Sequence, residues 1–289
     1  MKMASEREPG TAGGSGDHWR HIARAWRHSG PPLRVSPQDA AAYADAVATL
    51  RTSSAPPRVL ILGVTPEIYA LPWPRGTDIA AVDRSDAMIA AVWPGPQGSA
   101  QRGEWSALPL PGASRDLVLC DGGVHLLSHP DEQVRLVRSV ARVLAPGGLC
   151  LLRLFVPPSV AESPDRVVAD LRAGCAGDVN VLKLRLGMAM QEDPRRGVRL
   201  ADVWRAFSAA APDPARLAER NGWTPGQFET FEAYRDSTSA YHFVSVDDVA
   251  RQFCDEPGGF VMERVAVPTY VLGERCPLVV LRRTEESPR

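Results

Sequence analysis

The feature that most constrains the fold is an alternation of apolar strand-like runs and helical patterns between Arg58 and Phe155. The first run, Arg58-Val-Leu-Ile-Leu-Gly63, ends in glycine, and a second, Ile79-Ala-Ala-Val-Asp83, ends in aspartate. Near-continuous apolar strands separated by helices are typical of a parallel sheet covered on both faces. A glycine after one strand and a carboxylate after the next, about 20 residues apart, are how a doubly wound sheet holds an adenosine-containing cofactor.

The rest of the chain adds helices and a final strand pair to this sheet. Helical patterns dominate from Asp165 to about Glu256, including one predicted helix at Gly226–Ala240. Strand patterns return at Phe260–Val267 and Pro277–Arg282, and their brief connection predicts an antiparallel hairpin. The predicted fold class is therefore α/β, a Rossmann-like doubly wound mixed sheet of parallel strands plus a C-terminal antiparallel hairpin, with N-terminal helices and a helical insertion.

The same patterns predict a division of the chain into four parts. Residues 1–16 are polar and glycine-rich and are expected to form a disordered tail. The other predicted parts are an N-terminal helical lid (17–56), a core (57–160 and 257–289) and a helical insertion that covers the substrate pocket (161–256).

Charge and cysteine usage narrow the class of partner. The formal net charge is −1, whereas proteins that bind nucleic acid through phosphate contacts usually carry a basic excess. The five cysteines are widely spaced and form no C-x-x-C pair, so neither a zinc site nor a disulfide framework is expected. No stretch approaches transmembrane length. We expect a cytoplasmic protein with no metal, nucleic-acid or membrane partner, and a homodimer stays open.

Five fragments in this order resemble the class I S-adenosylmethionine-dependent methyltransferase family. They are Val59-Leu-Ile-Leu-Gly63, Val82-Asp83-Arg-Ser-Asp-Ala-Met88, Gly103-Glu-Trp-Ser-Ala-Leu-Pro109, Pro111-Gly-Ala-Ser-Arg-Asp116-Leu-Val-Leu and Val143-Leu-Ala-Pro-Gly-Gly148. The resemblance implies S-adenosylmethionine as cofactor and methyl transfer to oxygen, nitrogen or carbon of a small molecule, a metabolite or natural product. A nicotinamide enzyme should show G-x-G-x-x-G, which is absent. Amine methylation of nucleic acid is disfavoured because no Asn/Asp-Pro-Pro-aromatic tetrad follows the fourth strand.

The resemblance also implies a set of cofactor-binding residues. Asp83 would accept hydrogen bonds from the ribose hydroxyls, although it could instead cap the next helix in competition with Ser85. Glu104 falls where the family binds the adenine amino group, and Trp105 could pack on adenine; a surface carboxylate and a core tryptophan are the alternatives. The complete predicted set is Gly63, Thr65, Asp83, Arg84, Glu104, Trp105 and Asp121.

The loop after Gly63 departs from the family pattern. The family has further glycines there, whereas this chain has Val64-Thr65-Pro66-Glu67. We expect the Thr65 hydroxyl to cap a short helix in which Pro66 is the first residue. The methionine part of the cofactor would then be held partly by the N-terminal helices. Such a loop also leaves a second hypothesis open, a catalytically inactive methyltransferase-like subunit with a binding or regulatory role.

Candidate catalytic and substrate-binding residues follow the fourth strand and interrupt the fifth. Asp121 and His125 lie where donor and acceptor meet in such folds and could remove or orient a proton, although positioning can suffice. Arg153 breaks an apolar strand, so it binds either a substrate anion or a structural carboxylate. Aromatic and histidine side chains elsewhere are expected to line the substrate pocket or, alternatively, the core: Trp19, Tyr234, Tyr241 and His242.

Overall fold

A computed structural model describes residues 15–50, 55–255 and 258–285. Its strands are β1 (Arg58–Leu62), β2 (Asp78–Asp83), β3 (Ala100–Arg102), β4 (Arg115–Asp121), β5 (Leu144–Arg153), β6 (Val198–Arg199), β7 (Ala240–Tyr241), β8 (Phe260–Ala266) and β9 (Leu278–Arg283). Its α-helices are α1 (Ser15–Ala25), α2 (Pro37–Val47), α3 (Pro66–Tyr69), α4 (Asp86–Val92), α5 (Asp131–Val143), α6 (Pro164–Ala173), α7 (Val179–Met190), α8 (Leu200–Ala210), α9 (Pro214–Asn221), α10 (Pro225–Glu232) and α11 (Val246–Cys254).

The main sheet confirms the predicted fold class. Its strands lie in the order β3-β2-β1-β4-β5-β9-β8, with the first five parallel and β9 antiparallel to both of its neighbours. The chain moves outward from β1 in one direction through β2 and in the other through β4. Ligands of doubly wound sheets bind at such a switch point, beside the carboxyl ends of the strands.

Both faces of the sheet are covered, as the apolar strands require. In β1, Val59 and Ile61 point to one face and pack in a cluster with Tyr43 of α2, while Leu60 and Leu62 point to the other. Alternate residues of a strand face opposite sides of a sheet, so a strand buried on both faces reads as one apolar run. Helices α5 and α11 contribute to the second cluster, which also contains side chains of β4 and β5.

The helical region after β5 has a hydrophobic core of its own. Helix α7 lies at its centre and is buried along most of its length, from Val179 to Met188. A helix that is apolar on all sides is typical of such a central position. Helix α1 packs against both α4 and α10, and the backbone N–H of His242 donates to the His125 carbonyl at 2.8 Å. The helical region therefore closes over the carboxyl edge of the sheet.

Two local expectations differ from the structure. The helix predicted at Gly226–Ala240 ends at Glu232, because the chain then turns and Ala240–Tyr241 pairs with Val198–Arg199 as a short antiparallel ladder. Most of the predicted tail lies outside the described residues, but α1 already begins at Ser15.

Within the described part of the chain, no helix combines the length and apolarity needed to cross a membrane.

Candidate active site

Gly63 and Asp83 meet at the carboxyl edge of the sheet, as their strand-end positions predict. Gly63 has a φ of +91°, in the left-handed region that favours glycine. A Cβ atom at Gly63 would lie 3.8 Å from Asp83 Oδ2 and 3.6 Å from the Trp105 ring. The backbone of Gly63 is thus bordered by a carboxylate on one side and an indole on the other, with no side chain of its own between them.

Asp83 has one carboxylate oxygen, Oδ2, that accepts no hydrogen bond from the residues that the structure describes. Its Oδ1 accepts a hydrogen bond from the Ser85 backbone N–H at 2.7 Å, and the Ser85 hydroxyl in turn caps α4 by accepting from Met88 N–H at 3.3 Å. Burial raises the pKa of Asp83, and the nearby Glu104 carboxylate raises it further. Since the Ser85 hydroxyl already caps α4, helix capping does not explain the aspartate at position 83.

The loop after Gly63 differs from its prediction in one respect. Pro66 does begin the four-residue helix α3, but within the described residues the Thr65 side chain makes no capping hydrogen bond. Thr65 is buried and lines the cavity at the sheet edge instead. Glu67 is held by Arg34, whose Nε donates to it at 2.7 Å. The N-terminal segment therefore supports this loop through an ion pair.

Arg84, Glu104 and Trp105 lie together on the β2–β3 side of the site. The Trp105 indole N–H donates to the Val82 carbonyl at 2.7 Å, which orients the ring across the carboxyl edge of the sheet. A small cavity of about 30 Å³ beside Asp83 is lined by all three residues and by Trp19 of α1. The Arg84 guanidinium lies 5.9 Å from the centre of the Trp19 ring. These contacts bring one of the predicted substrate-pocket residues, Trp19, next to the predicted cofactor residues.

Arg153 forms a buried ion pair, which is the alternative to substrate binding that the sequence left open. Its side chain is 0% exposed, and its Nε and Nη2 donate to the two carboxylate oxygens of Asp121. Its Nη1 donates to the Pro32 carbonyl at 2.9 Å and lies 3.7 Å from Asp39. Burial lowers the pKa of Arg153, but the charge of Asp121, the hydrogen bonds to Asp121 and the charge of Asp39 act together against burial and raise that pKa well above its ordinary value. A buried guanidinium paired in this way has no surface for a substrate.

The same ion pair changes the expected role of Asp121. The carboxylate lines the cavity, but each of its oxygens already accepts from Arg153. Pairing with a guanidinium stabilises the carboxylate anion and so makes it a weaker base. The pairing therefore disfavours Asp121 as a base, and instead it anchors the end of β4 to the end of β5.

His125 is enclosed by aromatic rings. It is 4% exposed, stacks on Phe243 with ring centres 5.4 Å apart, and meets Tyr241 edge-on at 4.5 Å. Its Nδ1 has no hydrogen-bond partner among the described residues. Burial lowers the pKa of His125 to about 3, with the neighbouring His242 and Arg153 adding to the effect. The imidazole is therefore neutral near neutral pH.

The helical region contributes further side chains to the cavity. Tyr234 and Tyr241 line it, with ring centres 6.1 Å apart. His242, which was expected beside them, instead bonds through Nδ1 to the Pro194 carbonyl at 2.8 Å, so its ring is held by a loop of the helical region. Lys183 also lines the cavity and was missed by the sequence analysis. The available signal was a lysine within the mainly apolar pattern of Val179–Met190, which carries one other charge, at Arg185.

These side chains share one cavity of about 130 Å³. One part of it is bordered by Gly63, Asp83 and Trp105, at the ends of the strands. We call the other part the acceptor chamber, defined by the lining residues His125, Phe155, Lys183, Tyr234 and Tyr241. The arrangement can hold a polar ligand at the strand ends and present it to a second, largely aromatic ligand.

Comparisons with known proteins agree with this geometry. Residues 60–152 match a family model described as a methyltransferase domain. No curated protein matches the sequence. Among solved structures, a candidate Zn-dependent alcohol dehydrogenase from Rhodobacter sphaeroides is similar at 14% identity and a TM-score of 0.58, with 94% of this chain and 99% of that chain covered.

Two similar structures are methyltransferases. The CcbJ methyltransferase from Streptomyces caelestis has 15% identity and a TM-score of 0.54, with 93% of this chain and 99% of that chain covered. An amino pentose methyltransferase from Micromonospora echinaspora, involved in calicheamicin biosynthesis and solved with bound S-adenosylmethionine, has 18% identity and a TM-score of 0.52, with 90% and 95% covered. At such identities the likeness shows the fold. Residues 60–152 match a methyltransferase domain, and the sheet that contains them has the fold of these two methyltransferases.

Proposed function

We propose that the protein transfers a methyl group to a small molecule held in the acceptor chamber. The observation that carries this proposal is that one cavity is lined both by Gly63 and Asp83 of the sheet edge and by Lys183, Tyr234 and Tyr241 of the helical region. A cavity closed in this way by residues from several elements suits a small ligand better than a polymer. The near-neutral charge of the chain also supports a partner other than nucleic acid.

The residues at the strand ends fit S-adenosylmethionine. Asp83 has an oxygen available for the ribose hydroxyls, Trp105 offers a flat apolar surface for adenine, and Glu104 lies beside both in the smaller cavity. Arg84 borders that smaller cavity, and Thr65 borders the main one. When bound, the cofactor supplies an electrophilic methyl group.

Two orphaned donors support a role of the N-terminal helices in cofactor binding. The indole N–H groups of Trp19 and Trp26 are buried along the cavity with no acceptor among the described residues. A buried N–H without an acceptor costs about 1–3 kcal/mol. A ligand carboxylate or hydroxyl would satisfy these two donors, and we assign them to the amino-acid part of the cofactor. The described residues of the segment 17–56 would then act as the lid of the site.

The chain's own residues act mainly by positioning. The Asp121–Arg153 pair holds the loop Gly122–Gly123 in place, and the aromatic walls exclude water from the acceptor. Positioning two reactants in this way can supply a large part of the rate enhancement. We assign His125, neutral at working pH, a hydrogen bond to the acceptor rather than proton removal, because a base works best when its pKa lies near that pH.

Two further proposals concern the protein's surroundings. All five cysteines are free thiols, which supports a reducing compartment such as the cytoplasm. The edge strand β8 carries exposed Val261 and Val265, and a second copy of the chain could cover them in a homodimer.

Binding of S-adenosylhomocysteine tests the cofactor assignment and separates the enzyme from an inactive subunit. Isothermal titration calorimetry should show binding to the wild-type protein and a loss of about tenfold or more in affinity for Asp83→Asn, since a charge-assisted hydrogen bond is removed. Asp86→Asn is the matched control, because Asp86 is exposed and pairs with Arg102 on the surface. Equal affinities for the two variants would contradict the Asp83 assignment, and no binding by the wild type would favour the inactive subunit.

A further inference from the structure

Lys183 is an unusual residue in both sequence and structure. The chain contains only two lysines, Lys2 and Lys183, against a large number of arginines. Lys183 is 4% exposed and lies in α7, where its buried neighbours along the helix are mainly apolar. Burying an ammonium group is costly unless it is paired. Packing alone gives no reason for a lysine at this position.

The amino group of Lys183 has little to bind within the protein. Its Nζ donates to Thr230 Oγ1 at 2.5 Å, and the Thr230 hydroxyl in turn donates to the Gln227 carbonyl at 2.6 Å. Across residues 15–50, 55–255 and 258–285 no carboxylate forms an ion pair with Lys183. The nearby Asp178 accepts from the first N–H groups of α7 instead. Among the described residues the amine therefore has N–H groups without an acceptor, and it lines the acceptor chamber.

The surroundings of the amine are aromatic. Its nitrogen lies 5.3 Å from the centre of the Tyr234 ring and 5.8 Å from that of Phe231. Tyr241, His125 and Phe155 complete the chamber walls, and the ring centres of His125 and Phe155 are 5.1 Å apart. Walls of this kind favour a flat aromatic ligand, since aromatic rings pack in offset-stacked or edge-to-face pairs.

We propose that the acceptor chamber binds an aromatic compound through an ionisable hydroxyl group, a phenol, whose oxygen is held by Lys183 Nζ. This proposal rests on the proposed function for the place of the acceptor. A phenol suits a single amine better than a carboxylate does, because the two oxygens of a carboxylate favour a bidentate arginine. The arginine nearest the chamber, Arg153, is committed to Asp121.

The proposal includes one proton transfer. The hydroxyl O–H bond breaks, its proton moves to the neutral amine of Lys183, and the electron pair stays on the oxygen as a phenolate beside the new ammonium group. Burial lowers the pKa of Lys183 to about 7, so a neutral amine is present near neutral pH. The other titratable groups that bear on Lys183 are His18, Asp178 and Tyr234. The resulting phenolate is a stronger nucleophile than the phenol.

The probe for this proposal is 4-nitrophenol, whose phenolate absorbs visible light. The wild-type protein, saturated with S-adenosylhomocysteine, is titrated with 4-nitrophenol at a pH below the pKa of the free probe. We expect bound probe to ionise and absorb, and Lys183→Met to weaken its binding by about tenfold or more, because a hydrogen bond to a charged group is lost. Nitrobenzene, which has the ring without the hydroxyl, should bind the two proteins within about twofold of each other.

Each outcome decides the proposal. Ionisation in the wild type that is lost in Lys183→Met, with nitrobenzene binding retained, supports it. Equal binding and ionisation of 4-nitrophenol by the two proteins would overturn it, as would preferential binding of 4-nitrobenzoate, which would indicate a carboxylate ligand. Calorimetry with S-adenosylhomocysteine is run on both proteins: if the wild type fails to bind it, the proposed function fails, whereas retained cofactor binding without phenol binding overturns only this inference.

Discussion

Replacing Lys183 by methionine should change how stability depends on pH. Burial lowers the pKa of Lys183 from its ordinary value of 10.5 to about 7. Between these two values the unfolded chain binds more protons at this position than the folded chain, so stability rises with pH. This part of the stability is fully present above the unfolded pKa of Lys183 and is lost as pH falls through its folded pKa. Integrated from about pH 6 to about pH 9, it amounts to roughly 2.7 kcal/mol, which Lys183→Met lacks.

Urea unfolding of both proteins at about pH 6, 7.5 and 9 measures this difference. Groups that do not interact with Lys183 cancel when the free energies of unfolding are subtracted. His18 and Tyr234 do interact with Lys183, but burial lowers the pKa of His18 to about 4 and raises that of Tyr234 well above its ordinary value, so neither titrates in the folded protein between about pH 6 and pH 9. The free energy of unfolding of the wild type should increase relative to that of the variant as pH rises. A difference that stays constant with pH would mean that Lys183 keeps its ordinary pKa, and the description of an unpaired buried amine would be refuted.

Three further substitutions test the rest of the site. Gly63→Ala places a Cβ at a φ of +91° and should lower stability by about 1–2 kcal/mol in thermal unfolding; an unchanged Tm would contradict the strain. Arg153→Met leaves Asp121 buried and unpaired and should cost about 3–5 kcal/mol in urea unfolding, with most of it restored by adding Asp121→Leu. Trp19→Ala removes part of the cavity wall that the N-terminal helices supply, so S-adenosylhomocysteine should dissociate faster in stopped-flow measurements. An unchanged dissociation rate would argue against a lid.

The fold was predictable because its signals are local. In β1, every residue from Val59 to Leu62 is buried, and such a run predicts a central parallel strand wherever it occurs. The strand ends then place Gly63 and Asp83 at one edge of the sheet. The helix boundary at Glu232 was not predictable in this way, since the turn after it depends on pairing between Tyr241 and the distant Val198.

Site residues were predictable only where the backbone alone positions them. The sequence marked Arg153 as a costly charge in an apolar strand, but its partners Asp121, Asp39 and the Pro32 carbonyl come from three other parts of the chain. His242 was expected in the substrate pocket, whereas its ring is held by the Pro194 carbonyl. Long-range contacts of this kind leave no periodic pattern in the sequence.

The sequence by itself determined the order of strands and helices and the strand-end residues Gly63 and Asp83, because hydrophobic periodicity and chain turns act over a few neighbouring residues. Only the tertiary structure decided which side chains share the cavity. Lys183 of α7 and Tyr234, just beyond α10, reach the acceptor chamber because the helical region packs over the sheet edge, and that packing depends on burial between segments far apart in the chain.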